Sequence, residues 1–138
     1  MDLPTAARSP VATLHAVPEP VVPKRVVVVD NDRDALDLVA LDLRLEGHDI
    51  VGTAFDGDAA LALVEDLRPD VLVVDHRMPP GPWGVEVAEA VRRRHPEIEV
   101  VLYTNYRSAE LQERTASAGA RLIPKGNLRI LRRAVAGA

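Results

Sequence analysis

Five short runs of β-branched and aliphatic residues, each followed by a longer stretch of helical spacing, constrain this chain more than any other feature. The runs are Val26–Val29, Ile50–Ala54, Val71–Val74, Ile98–Tyr103 and Arg121–Ile123. Between and after them lie Arg33–Glu46, Gly57–Leu67, Gly84–His95, Ala109–Ala118 and Leu128–Ala136. Strands separated by helices must run parallel, because each return needs a crossover. Right-handed crossovers leave few topologies. Unbroken apolar strands such as Val26–Val29 and Val71–Val74 are those of a sheet covered on both faces. The sequence therefore predicts an α/β fold in three layers, with Gly47 and Gly119 placed to end two of the helices.

The 138 residues amount to one domain, 47% hydrophobic and 28% charged, so a packed core is affordable. Five of the eleven prolines fall between Met1 and Pro23, where neither helical nor strand period is visible. Residues 1–23 are read as a flexible arm and 24–138 as the folded domain. A docking peptide or exchanged strand built on Val11–Leu14 is the competing reading of the arm. A net charge of −4 argues against nucleic acid as a direct partner. The absence of cysteine excludes thiolate metal sites and fits a reducing cytoplasm. Apolar runs are too short to cross a membrane, and the arm's prolines interrupt any signal-peptide core. The expected location is cytoplasmic.

In open parallel sheets ligands bind at the carboxyl ends of the strands. Strand one ends in Asp30-Asn31-Asp32, strand three in Asp75, strand four in Thr104, and strand five in Lys125. Asp32 and Asp34 are read as helix-capping residues. Asp30 and Asp75 directly end apolar strands and resist that explanation. Two converging carboxylates need a cation between them. Hard oxygen donors without His or Cys nearby point to Mg²⁺ rather than Zn²⁺. Lys125 is either a solvated surface lysine or a cation able to pair with a carboxylate and with phosphoryl oxygens. Thr104 either closes a strand or hydrogen-bonds such a group.

Four fragments in order, Val-Val-Val-Val-Asp30-Asn31-Asp32, Val-Leu-Val-Val-Asp75-His76-Arg77-Met78-Pro79, Val-Val-Leu-Tyr-Thr104 and Ile-Pro-Lys125-Gly126, resemble the receiver domain of two-component response regulators. The resemblance implies a flavodoxin-like (βα)5 sandwich with strand order 2-1-3-4-5. It implies that Asp75 accepts a phosphoryl group from a histidine kinase or phosphotransfer protein. Asp30, Asp75 and the backbone carbonyl of Arg77 would hold Mg²⁺, with Asn31 reaching it through a water. Lys125 and Thr104 would contact the phosphoryl group. The protein would be a phosphoacceptor switch rather than an enzyme with its own substrate, and would signal to a further protein by contact.

The chain departs from the family pattern in places. Asn31 replaces a second acid, removing one charge from the metal site. Leu122 stands where many receivers carry an aromatic switch residue, and Asn105 follows Thr104 where a small residue is usual. The loop from Pro79 to Gly84 is one residue longer and carries Trp83. Proline precedes Lys125 rather than following it. In the first helix Asp42 occupies a customarily apolar place. Leu36, Leu41 and Leu45 widen the apolar stripe of Leu38, Val39 and Leu43, which is read as a helix rotated to bury more of itself. A partner or homodimer surface is the other reading. Asp30-Asn31-Asp32 also fits the nucleophile motif of haloacid-dehalogenase-type phosphatases. That reading fails because no acid follows Lys125. The remaining alternative is a degenerate receiver, a phosphorylation-independent binding module. No output domain follows the last helix in the sequence as given, so it is read as a stand-alone receiver or an excised one.

Overall fold

In the computed structural model, residues 21–138 are described. The sheet contains β1 (Arg25–Val29), β2 (Asp49–Ala54), β3 (Val71–Val74), β4 (Glu99–Thr104) and β5 (Arg121–Pro124). All pairings are parallel, and the order is β2-β1-β3-β4-β5. The helices are α1 (Arg33–Leu45), α2 (Gly57–Leu67), α3 (Gly84–Arg94), α4 (Ala109–Ser117) and α5 (Leu128–Ala136). The sequence-based boundaries differ from these by about one residue, the ordinary fraying of element ends. Gly47 and Gly119 follow the ends of α1 and α4 with φ of +100° and +79°, as the helix-stop reading required.

Alternation along each strand sends side chains to opposite faces. Val27, Val29, Leu72, Val74, Val100 and Leu102 point to one side, where α2, α3 and α4 cover them. Val26, Val28, Val71, Val73, Val101 and Tyr103 point to the other, against α1 and α5. Most of these strand residues are under 3% exposed, which is why the strands read as continuous apolar runs. Among the described residues no helix is long and apolar enough to cross a membrane. The arm assigned to residues 1–23, including its Val11–Leu14 segment, lies outside the described residues except for Val21–Pro23.

The first helix corrects one expectation. Leu36, Val39, Ala40 and Leu43 are buried, but Leu38, Leu41 and Leu45 are 54%, 53% and 76% exposed. Of the leucines that widen the stripe, Leu36 is buried and Leu41 and Leu45 are not. Asp42 explains the helix's rotation: its carboxylate, 7% exposed, accepts from Arg132 Nε on α5 at 3.1 and 3.0 Å. Turning Asp42 toward α5 leaves the leucine edge facing solvent. On α5, Leu131 and Val135 are core residues.

Candidate functional site

The sheet order puts β1 and β3 side by side, so Asp30 and Asp75 leave the same edge from neighbouring strands. Both side chains are nearly buried, 4% and 9% exposed as residues. Lys125, just past β5, reaches back across the edge. Its Nζ lies 2.7 Å from Asp30 Oδ2 and 2.9 Å from Asp75 Oδ2. The other oxygens meet backbone amides: Asp32 N–H donates to Asp30 Oδ1 at 2.9 Å, and His76 N–H to Asp75 Oδ1 at 2.7 Å. Each carboxylate thus has one oxygen on the lysine and one on the main chain.

The electrostatics follow from burial. Desolvation holds the Asp30 carboxyl above its ordinary value, and nearby Asp75 adds to the effect; Lys125 and the Asp32 amide oppose it. For Lys125, burial works against the charge. Hydrogen bonds to both carboxylates outweigh it, and the ammonium is held above its ordinary value. Lys125 is therefore a paired, protonated cation at neutral pH.

Neighbouring elements fix these groups in place. Gly84 opens α3 against the end of β3: its N–H donates to His76 O at 2.7 Å, and a Cβ there would lie 1.9 Å from Asp75 O. Only glycine permits that approach. Lys125 N–H donates to Thr104 O at 3.1 Å, and Gly126 N–H to Tyr103 Oη at 2.9 Å, so β4 holds the lysine loop at two points. Asp32 is the cap of α1, accepting from Asp34 N–H at 3.0 Å, as its capping reading required.

Of the site residues drawn from the sequence, Asp30, Asp75 and Lys125 are brought into direct contact. Thr104 is buried at the same edge, but its Oγ1 accepts from Tyr106 N–H at 3.1 Å rather than touching Asp75. That bond uses the hydroxyl as acceptor and does not spend its proton. Asn31 and Asn105 are exposed. Arg77 sends its guanidinium outward, 5.1 Å from the Tyr106 ring and 5.9 Å from that of Trp83.

Sequence reasoning did not foresee the aromatic cover beside Asp75. The buried His76 ring meets Trp83 edge-on, with centroids 4.8 Å apart, and lies 5.6 Å from Tyr106. Burial lowers the His76 pKa and keeps the ring neutral, although the adjacent Asp75 charge pulls the other way. Trp83 was legible as a loop tryptophan near Asp75. Its partners depend on how the β3–α3 and β4–α4 loops meet.

The donor set fits a hard divalent cation. Carboxylate oxygens have more than one acceptor direction each, and the protein contacts above leave some unused. Among the described residues no cluster of three or more His, Cys, Asp or Glu side chains is present, so a cation here would complete its shell with main-chain carbonyl and water. Asp30 and Asp75 are the side chains that could hold it.

The family model of the response regulator receiver domain matches residues 26–127. The fold is similar to the signal receiver domain of the response regulator NarL from Mycobacterium tuberculosis, with 34% identity, TM-score 0.76, and 82% of this chain and 93% of that one covered. It is also similar to a CheY-like receiver protein from Methanospirillum hungatei JF-1 (28% identity, TM-score 0.76, 83% and 91% covered). A third similar structure is the BeF3-activated DrrB receiver domain (27% identity, TM-score 0.70, 83% and 95% covered). The flavodoxin-like order of the sheet, the strand-end site and the family match agree. The chain belongs to the receiver domains of two-component response regulators.

Proposed function

We propose that this receiver accepts a phosphoryl group on Asp75, in a Mg²⁺-dependent reaction, from a histidine kinase or phosphotransfer protein. The observation that carries the reading is Lys125 Nζ at 2.7 and 2.9 Å from two nearly buried carboxylates. A structural ion pair needs one acid. A second acid that is expensive to bury suits a site where another cation and an anionic group arrive together. An Asp75 oxygen forms the new bond to phosphorus as the bond from phosphorus to the donor's histidine nitrogen breaks. Lys125 is already at the acceptor oxygen and offsets the charge of the incoming phosphoryl oxygens. Thr104 can donate its hydroxyl proton to one of them after a rotation about its side chain. Mg²⁺, when bound at Asp30, Asp75 and the Arg77 carbonyl, supplies charge neutralisation for the transfer. The resulting state would be passed to a protein partner by contact.

Incubation with acetyl phosphate and Mg²⁺ should add one phosphoryl group by intact mass, and Asp75→Asn should abolish the addition. Trp83 lies against the neighbour of Asp75, so Mg²⁺ or beryllofluoride should change its emission. An unchanged mass for the wild-type chain, with a flat Trp83 titration, would overturn phosphoacceptance in favour of a phosphorylation-independent binding module.

A further inference from the structure

The outer edge of α1 is a patterned surface for which the site at the strand ends has no use. Leu38, Leu41 and Leu45 follow each other at intervals of three and four and are all exposed. That spacing puts them in one line, on the side of the helix opposite the buried Leu36, Val39 and Leu43. A line of this period is the seam along which two helices pack. Three adjacent leucines without cover form the kind of apolar patch that marks a contact surface.

The charges beside the seam identify its occupant. Asp37 directly precedes Leu38 and Arg44 directly precedes Leu45, so both lie on the same flank of the leucine line, and both are exposed. They stand roughly 10 Å apart along the helix axis, with Leu41 near the midpoint. Turned end for end, this surface is complementary to itself. Leucine then meets leucine at both ends, and acid meets base at both ends. Self-complementarity of a single patch is what a two-fold contact between identical chains requires. On the other flank Asp42 is already paired with Arg132 and brings no unpaired charge to the contact.

We propose that α1 packs against α1 of a second copy of this chain, antiparallel, about a two-fold axis near Leu41. Leu38 packs toward the partner's Leu45, and Asp37 pairs with the partner's Arg44, once on each side of the axis. A parallel pair would keep each aspartate about 10 Å from the arginine along the axis and lose both ion pairs. The helix is only about 20 Å long, so the contact lies at the small end of specific interfaces and the dimer is reversible. The pairing does not depend on phosphoacceptance at Asp75.

Exchanging charges between copies tests both the occupant and the orientation. In sedimentation equilibrium, the full chain should pass from monomer to dimer across a concentration series reaching the millimolar range. Leu41→Asp should weaken association by about tenfold or more. Asp37→Arg and Arg44→Asp each set like charges opposite one another, so each variant alone should associate more weakly than the wild type. Mixed in equal amounts, the two variants should form a heterodimer as tight as the wild-type dimer, because both ion pairs are restored across the axis. All three positions are exposed, so the amide resonances around Asp75 should stay in place and show that each variant is folded. A wild-type chain that stays monomeric throughout the series would overturn the proposal. So would a dimer that Leu41→Asp leaves intact, or a mixture no tighter than either variant alone.

Discussion

The end of the sheet has two halves built to different standards. On the β1–β3 side the groups are held closely. Asp30 and Asp75 each use one oxygen on Lys125 and one on a backbone amide, and α3 approaches so near that a Cβ at Gly84 would stand 1.9 Å from Asp75 O. On the β4–β5 side there is space. Leu122 is half-buried and shares with Thr104, Arg107, Gln112, Thr115 and Pro124 the lining of a cleft of about 370 Å³. Thr104 makes its side-chain bond to Tyr106 N–H and not to the acids. Preorganised charge is what phosphoryl transfer needs, whereas a moving part needs room. Chemistry and transmission are therefore separate properties of this edge, and substitutions should affect them separately.

The largest effect is expected at Lys125. Lys125→Ala leaves two nearly buried carboxylates without their cation, a change that costs about 3 kcal/mol or more. The pH dependence distinguishes this cause from lost packing. Asp30 is already held above its ordinary value by burial, and loss of Lys125 raises it further. At mildly acid pH Asp30 of the folded variant then binds more protons than in the unfolded chain, so the variant gains at this site relative to the wild type as pH falls toward 5. Urea melts at pH 7.5 and 5.0 should show the deficit shrinking at the lower value. A deficit that stays constant would mean that the charges on this half are less desolvated than the geometry indicates.

Gly84→Ala comes next. The nearest obstacle is backbone, which cannot swing aside like a side chain, so about 2–3 kcal/mol of stability should be lost. Because α3 and the end of β3 must separate, phosphoryl uptake should fall as well. A variant with full uptake would show that Asp75 tolerates displacement, and the contrast between the two halves would weaken.

A smaller change is expected at His76. Its ring is neutral in the fold because burial lowers its pKa, and it supports Trp83 and Tyr106. As pH falls below about 6.5 the unfolded chain takes up a proton that the folded chain refuses. Stability must therefore fall with pH until the lowered native value is reached, and Trp83 emission should change over that lower range. The buried His48, lowered for the same reason, contributes in the same direction. His76→Gln should remove its part of the slope and the Trp83 change together, leaving the His48 part.

These groups differ in how far they could be read from the sequence. Asp30, Asp75, Thr104 and Lys125 were legible because uninterrupted apolar runs fix where strands end, and a parallel sheet gathers those ends. The fold was legible for the same reason. The contact of Tyr103 Oη with Gly126 N–H was not, since Tyr103 reads only as an aromatic in a strand. Gly84 looked like a helix start, and its contact with Asp75 O exists only once α3 is packed. The rotation of α1 was misjudged because Asp42 finds its partner Arg132 ninety residues later, where periodicity within one helix carries no information. Local patterns gave the site's members, and long-range contacts gave its rigidity.

The smallest effect, and the most direct test of the open half, is expected from Leu122→Tyr. Leu122 borders the cleft and is only half-buried, so the larger ring should enter the existing space with a stability change within about 0.5 kcal/mol. Its effect on transmission should be larger than its effect on stability. If Thr104 moves toward a group on Asp75, it draws the β4–α4 loop with it through Tyr106 N–H, and a ring beside Thr104 would extend that shift to β5. Hydrogen exchange of α4 and β5, with and without beryllofluoride, should therefore respond more in the variant than in the wild-type chain. An equal or larger response in the wild type would mean that the cleft itself transmits the change, the empty space closing as Thr104 moves, and that no aromatic is needed at position 122.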